Sequence, residues 1–99
     1  MNPLIAPYVD ASGRMILWPA RKKRLAREAL LDYVLEAIDV GREYSEKEIV
    51  ALIETRAEVP DHAYLRREMV DTGRLQRDTY GKAYVRPSNP VLIPIGGGL

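Results

Sequence analysis

Apolar residues in the stretch 61–85 recur first at helical and then at strand spacing, which predicts one helix followed directly by a β-hairpin. The apolar residues of the helical part are Tyr64, Leu65, Met69 and Val70. Asp61 follows Pro60 and is expected to cap the helix, because its carboxylate can accept hydrogen bonds from free backbone N–H groups. Gly73 is expected to end the helix in the left-handed conformation.

The predicted hairpin begins at Leu75, turns at residues 78–81 and returns along residues 82–85. A helix followed at once by a hairpin is the second half of a winged helix-turn-helix, in which the hairpin is the wing. This stretch therefore determines the fold that we predict for the whole chain.

Two further helices are predicted before this stretch. The first runs from residue 19 or 20 to residue 38 and carries an apolar stripe. The residues of the stripe are Leu25, Ala29, Leu30, Tyr33, Val34, Ala37 and Ile38. The second helix follows Ser45, because Ser45 and Glu48 have the spacing of a capping box. A connection over residues 55–59 comes next, and Pro60 prevents the helix from continuing.

Residues 14–18 form a short β-prone run that ends at Pro19, and we expect it to be a small early strand beside the wing. The predicted fold class is α+β, a winged helix-turn-helix with three helices, a C-terminal β-hairpin wing and a short early strand. The predicted core residues are Leu25, Leu30, Val34, Ile38, Ile49, Ile53, Leu65, Met69 and Leu75.

The chain is expected to divide into an N-terminal extension (residues 1–13), the winged-helix domain (residues 14–86) and an apolar, glycine-rich tail (residues 87–99). Large aliphatic residues crowd positions 91–95, and such a cluster is not expected to stay exposed in a small monomer. We expect the tail to cover its own domain, beside Leu4 and Ile5, or to cross to a second subunit.

Composition places the chain among small proteins without disulfides. Ninety-nine residues allow one domain with one small core. The absence of cysteine excludes disulfides and thiolate metal sites and fits a reducing compartment. The N-terminus lacks the basic region of a signal peptide, and no uncharged run is long enough to span a membrane, so we expect a cytoplasmic protein. Scarce Asn and Gln are typical of thermostable proteins, although a GC-rich genome would give a similar bias.

Charge is distributed unevenly although the net charge is only +1. Residues 1–27 carry +5, residues 28–73 carry −7 and residues 74–99 carry +3. Basic ends of this kind can steer an anionic partner towards the protein. Solvated acidic helix faces in the middle of the chain would give the same pattern without any partner.

Several basic residues are candidates for contact with nucleic acid. They are Arg21, Lys22, Lys23, Arg24, His62, Arg66, Arg67, Arg74, Arg77 and Lys82. The first four stand at the start of the first predicted helix, where a phosphate would offset their unfavourable interaction with the helix dipole. Arg66 and Arg67 lie on the third predicted helix, which contacts bases or phosphates in this kind of fold. Arg74, Arg77 and Lys82 flank the predicted wing.

Each of these groups also has a structural alternative. The first cluster can be a solvated run whose long stems cover Trp18. Arg67 and Asp71 have the spacing of an intrahelical ion pair. Charges around a hairpin can protect an exposed strand edge from pairing. His62 can be an ordinary surface histidine near a helix start.

The sequence shows no pattern of an enzyme or of a metal protein. One histidine and no cysteine cannot form a transition-metal site without carboxylates. The serines lack the strained elbow motif of a nucleophile, and the glycines at 96–98 lack the following Lys-Ser/Thr of a phosphate loop. We therefore expect no catalytic residue, no metal and no cofactor.

A set of spaced residues extends over residues 13–85. Its first part is Gly13-Arg14, Trp18-Pro19, Lys23-Arg24, Leu30, Gly41 and the run Tyr44-Ser45-Glu46-Lys47-Glu48. Its most distinctive part is Leu65-Arg66-Arg67, Val70-Asp71, Gly73 and Leu75, followed by Arg77, Gly81 and Tyr84. Together these residues resemble a family of small uncharacterised bacterial winged-helix domains. The resemblance implies a winged-helix fold and a role in transcription, but no established activity or ligand.

We therefore expect a DNA-binding module of a transcription regulator, acting as a homodimer on duplex DNA. Its contacts would come from the third helix, the wing and the start of the first helix. The alternative is a winged-helix protein-interaction module, which the acidic middle of the chain favours. RNA binding is a weaker option, because most aromatic residues stand at expected core positions rather than on a stacking surface. The fold alone does not choose between these functions.

Overall fold

The described part of the chain contains three α-helices, a short 3-10 helix (Ala6–Tyr8) and three short strands. The computed structural model describes residues 1–58, 62–80 and 82–95. In chain order the elements are α1 (Arg24–Leu35), β1 (Glu43–Ser45), α2 (Glu46–Arg56), α3 (His62–Asp71), β2 (Gln76–Arg77) and β3 (Ala83–Val85). None of the helices within these residues has the length and apolar character needed to cross a membrane. The predicted cap Asp61, with residues 59–60 and turn residue Gly81, lies outside the described residues.

The strands form one antiparallel sheet in the order β1-β3-β2. Tyr84 of β3 pairs with Tyr44 of β1 on one side and with Arg77 of β2 on the other. The hairpin of β2 and β3 follows α3, as predicted, and β1 enters the sheet from between α1 and α2. The α+β prediction is confirmed, since three helices and this sheet are compatible with a winged-helix fold.

Helix α1 begins four or five residues later than predicted. Pro19 is buried, and Lys23 donates its backbone N–H to the carbonyl of Ala20 at 2.8 Å, which makes a turn ahead of the helix. Cations in a first helical turn interact unfavourably with the helix dipole, and the later start removes Arg21 and Lys22 from that turn. The predicted end was also wrong, because Ile38 follows the helix in a tight turn in which its N–H binds the carbonyl of Leu35.

The buried face of α1 is rotated from the predicted stripe. The buried residues of the helix are Ala26, Leu30, Leu31, Val34 and Leu35. Leu25 was predicted to be in the core but is 65% exposed. A helix that packs on both α2 and α3 needs a wide apolar face, and Leu31 and Leu35 supply the part that the prediction omitted. The other eight predicted core residues are all buried.

The predicted early strand over residues 14–18 is not part of the sheet. Met15 is fully buried and forms isolated bridges with Val9 and Ala57. Its backbone bonds with Arg56 and Glu58, so the segment packs at the end of α2 rather than beside the wing. The strand that pairs with the wing is β1. It has only one buried residue between two exposed ones, and an alternation this short does not predict a strand from the sequence.

Both predicted local signals in α2 and α3 are confirmed. Ser45 and Glu48 form the capping box, with Glu48 N–H donating to Ser45 Oγ at 3.1 Å and Ser45 N–H donating to Glu48 Oε1 at 2.9 Å. The hydrogen bond from the Ser45 backbone lowers the pKa of the Glu48 carboxyl. Gly73 ends α3 at a φ of +82°, and Arg74 N–H donates to the Met69 carbonyl at 2.8 Å, as in a Schellman motif.

The tail packs on its own domain, which is one of the two predicted arrangements. Ile93 N–H donates to the Thr72 carbonyl at 3.0 Å, at the C-terminal end of α3. Ile95 is buried and joins the same core as Ile5, and its N–H donates to Glu28 on α1. Val91, Leu92 and Ile93 remain 85%, 51% and 47% exposed, so of the four large aliphatic residues only Ile95 is buried, and the expectation that the cluster is covered is met only in part.

Arg74 connects the segment before the wing to α1. Its side chain is 3% exposed, and its Nε donates to Asp32 Oδ1 at 2.7 Å. Its Nη2 also donates to the Glu28 carbonyl. This position contradicts the prediction of Arg74 as a nucleic-acid contact, because a buried guanidinium is not accessible to phosphate. The partner lies 42 residues away in the sequence, so no local pattern predicts the pair.

Two leucines of α1 give a direct test of the helix phase. Leu31→Ala should lower the free energy of unfolding by about 2–5 kcal/mol, because it leaves a cavity in a fully buried site. Leu25→Ala, the same change in the same helix, should cost less than about 0.5 kcal/mol, because Leu25 is exposed. Urea unfolding followed by circular dichroism measures both, and similar losses at the two sites would contradict the observed phase.

Two carboxylates of α1 give a matched test of the Arg74 contact. Asp32→Ala should lower the free energy of unfolding by about 1–3 kcal/mol, because it leaves a buried guanidinium without its acceptor. Glu36→Ala, which removes an exposed partner 3.5 Å from Arg56, should cost at most about 0.5 kcal/mol. Thermal and urea unfolding provide the comparison. An Asp32→Ala protein as stable as the Glu36→Ala protein would show that the Arg74 contact contributes little.

Candidate nucleic-acid interface

A groove of about 240 Å³ lies between α3 and the wing. The residues that line it are Ala63, Arg66, Arg67 and Val70 of α3, Arg77 of β2 and Tyr84 of β3. Three guanidinium groups from two elements therefore meet at one concave surface. Three of the predicted candidate residues, Arg66, Arg67 and Arg77, come together here.

The orientation of α3 follows from its buried residues. Leu65 and Met69 are fully buried and face α1 and α2. In a helix with 3.6 residues per turn, Arg66 and Val70 then lie on the flank beside the wing, and Ala63 and Arg67 lie on the outer side. Tyr64 and Glu68 lie on the opposite flank.

Arg66 is held by contacts within the protein. Its Nη2 lies 3.1 Å from Glu46 Oε1 at the start of α2, and its side chain is only 19% exposed. Its guanidinium carbon also lies 6.0 Å from the centre of the Tyr84 ring, at the outer limit of a cation–π contact. Arg66 thus connects α2, α3 and β3, and its orientation is fixed before any ligand binds.

Arg67 is exposed and forms no ion pair with any side chain that the structure describes. The alternative pairing of Arg67 with Asp71, predicted from their spacing, is therefore not formed within the described residues. Its guanidinium is available to an external acceptor.

Arg77 lies on the opposite wall of the groove, on the exposed strand β2. Asp78 N–H donates to the Ala83 carbonyl at 3.0 Å, and Lys82 N–H donates to Asp78 Oδ1 at 2.8 Å, which together close the hairpin. Lys82 is exposed beyond this turn and does not line the groove. Tyr80, near the tip of the wing, is 84% exposed.

His62 is occupied by contacts within the protein. Its Nε2 lies 3.3 Å from the Ala57 carbonyl, and its Nδ1 lies 3.8 Å from Glu54 Oε1. Of the two predicted roles, these contacts favour the structural one near the start of α3 over contact with nucleic acid.

The basic segment of residues 21–24 is exposed and lies outside the groove. The preceding Trp18 packs its ring edge-on against Tyr64 of α3, with centroids 5.9 Å apart. Arg27 lies over the same Trp18 ring at 5.5 Å. The segment leading into α1 therefore packs on the flank of α3 that faces away from the wing.

Acidic residues moderate the positive charge of α3. Glu68 is partly buried, and this burial raises the pKa of its carboxyl, as does the nearby charge of Asp71. The positive charges of Arg27 and Arg67 act on the pKa of Glu68 in the opposite direction. The face of α3 thus presents an isolated arginine rather than a uniformly basic surface.

Sequence reasoning missed three contributors to the groove. Tyr84 was identified only as part of a strand, yet its ring lines the groove beneath Arg66. Glu46 was identified only as part of the capping sequence, yet it orients Arg66. Ala63 was not considered, because a small residue carries no chemical signal. The spacing within α3 would have placed Ala63 on the same face as Arg67 once Leu65 and Met69 were assigned to the core.

The described residues contain no group of three His, Cys, Asp or Glu side chains that could hold a metal ion. The groove combines guanidinium donors, which can bind carboxylate or phosphate groups, with apolar and aromatic walls.

Comparison with known proteins identifies the family of the chain. No curated protein and no solved structure matches it. Residues 14–86 match the family described as "Uncharacterized protein conserved in bacteria (DUF2087)". The match includes every helix and strand from α1 to β3 and agrees in extent with the resemblance found in the sequence. The chain therefore belongs to this uncharacterised family of bacterial proteins.

Proposed function

We propose that the protein is a DNA-binding module of a bacterial transcription regulator, and that it binds duplex DNA through α3 and the wing. The observation that carries the proposal is the convergence of Arg66, Arg67 and Arg77 on one groove. A helix with an exposed outer side fits the major groove of DNA, and a basic hairpin beside it can contact the phosphate backbone. The role in transcription rests on analogy with other proteins of similar fold.

The basic segment of residues 21–24 extends the proposed contact surface. Its four cations are exposed and follow Trp18, whose ring packs on Tyr64 of α3 on the flank away from the wing. Cations on both sides of α3 would neutralise phosphates on both sides of the DNA major groove that receives the helix. We propose that the protein acts as a homodimer, since paired half-sites are the usual target of such domains. A protein with this function would bind bacterial DNA in the cytoplasm, which is the compartment that we propose.

Salt dependence of binding tests this proposal. Each phosphate that is neutralised should contribute a slope of about −0.9 to the plot of log association constant against log salt concentration. Changing Lys22 and Lys23 together to Ala should weaken binding to every duplex alike and reduce the slope by about two units. Fluorescence anisotropy with labelled duplexes of random sequence measures both quantities.

The matched control changes Arg42 and Lys47 together to Ala, which removes two exposed cations that belong neither to the groove nor to the basic segment of residues 21–24. This variant should keep the slope of the wild-type protein. If the wild-type protein binds no duplex at low ionic strength, or if both double variants lose the same slope, the proposed surface is wrong.

A protein-interaction module is the second candidate. Ile16, Leu17 and Leu25 are each more than half exposed and lie close in sequence to the basic segment. Exposed aliphatic residues near cations suit an acidic protein partner better than DNA. In that case the wild-type protein would not bind duplex DNA. Changing Leu17 and Leu25 to Ser would abolish binding of this acidic partner, and changing Lys22 and Lys23 to Ala would weaken it.

A further inference from the structure

We infer that Arg67 is the residue that recognises a base, and that this base is guanine, whereas Arg66 is a positioning residue that contacts no base. This inference rests on the proposed binding of duplex DNA. The two arginines are neighbours in the sequence and equal in charge, and they differ in the exposure and the contacts of their side chains.

Arg66 is not free to reach a base edge. Its contacts with Glu46 and the Tyr84 ring occupy the guanidinium, and most of its side chain is buried. Withdrawing it would leave the Glu46 carboxylate without its ion pair and would break a link between α2 and α3. The role of Arg66 is to fix the angle at which α3 meets the wing.

Arg67 has the opposite properties. It lies on the outer side of α3, is exposed and has no ion-pair partner in the described part of the chain. A guanidinium has a planar pair of donors that matches the O6 and N7 acceptors of guanine in the major groove. Among the side chains of the outer side, Arg67 alone can form this bidentate contact.

Ala63 permits the close approach that base recognition requires. It lies one helical turn before Arg67 on the same outer side, and it is exposed. Because its side chain is a single methyl group, the backbone of α3 can lie close to the base edges. Arg67 can then reach one guanine while α3 stays in the major groove of the DNA.

Arg77 belongs to a different part of the contact. It lies on the wing wall of the groove, across from the outer side of α3. A side chain at that wall faces the sugar–phosphate backbone when the helix occupies the major groove. Arg77 therefore adds affinity for every sequence and does not select among sequences.

The experiment selects preferred duplexes from a random pool with the wild-type protein and then compares variants on the selected site. Arg67→Lys keeps the charge and removes the planar pair of donors. It should lower the ratio of affinity for the selected site to affinity for random duplex by about tenfold or more. Its affinity for random duplex should stay within about twofold, because phosphate contacts depend on charge. Arg42→Lys, the same change at an exposed residue outside both the groove and residues 21–24, should leave the ratio unchanged.

A change in the DNA separates a base contact from an indirect effect. Replacing the selected guanine with 7-deazaguanine removes the N7 acceptor and preserves pairing with cytosine. The affinity of the wild-type protein should fall about tenfold on this replacement. The affinity of the Arg67→Lys protein should hardly change, because it has already lost the contact with N7. Circular dichroism confirms that each variant is folded.

The outcomes distinguish this inference from the proposed function. If the wild-type protein binds duplexes with the expected salt dependence but selects no guanine, or if Arg67→Lys keeps the selectivity, the assignment of Arg67 is wrong and the proposed function stands. If Arg66→Lys lowers the selectivity and 7-deazaguanine affects only proteins with Arg66, the roles of the two arginines are reversed. If the wild-type protein binds no duplex at any salt concentration, the proposed function itself fails.

Discussion

Burial of Leu65 and Met69 is the constraint on which the groove depends. These two residues fix the rotation of α3, and helical geometry then assigns every other residue of the helix to a surface. Arg66 and Val70 must face the wing, Tyr64 and Glu68 must face the segment before α1, and Ala63 and Arg67 must face outwards. The candidate site is thus a consequence of the core, since a rotation of α3 by one residue would bury Arg66 in one direction and would remove Arg67 from the groove in the other.

Basic residues in this protein have three different physical roles, which their number alone does not reveal. Arg74 is buried against Asp32 and holds the segment before the wing on α1. Arg66 is partly buried and holds α2, α3 and β3 together. Arg67 and the cations of residues 21–24 remain exposed. Among the residues just named, the exposed ones can pair with an external anion without breaking a contact of the fold. Glu68 and Asp71 stand on the same helix as Arg66 and Arg67, so the formal charges of α3 balance.

The sequence predicts those features that depend on a few neighbouring residues. The capping box of Ser45 and Glu48, and the glycine that ends α3, are determined by the residues that form them, and both were predicted correctly. The convergence of Arg66 and Arg77 on one groove followed in part from the order of helix and hairpin. The start of α1, the exposure of Leu25 and the position of Met15 depend on packing against elements far away in the chain. The Arg74–Asp32 and Arg66–Glu46 pairs are equally non-local, so neither follows from spacing.

Gly73 links the domain to the tail that follows it. Its positive φ already restricts this position to glycine at the end of α3. A Cβ atom there would also clash with the carbonyl oxygen of Val91. The tail lies outside the region that matches the family, whereas Gly73 lies inside it. The tail therefore passes over a position at which the end of α3 by itself requires glycine. A C-terminal extension can take this path in evolution without requiring any compensating substitution at position 73.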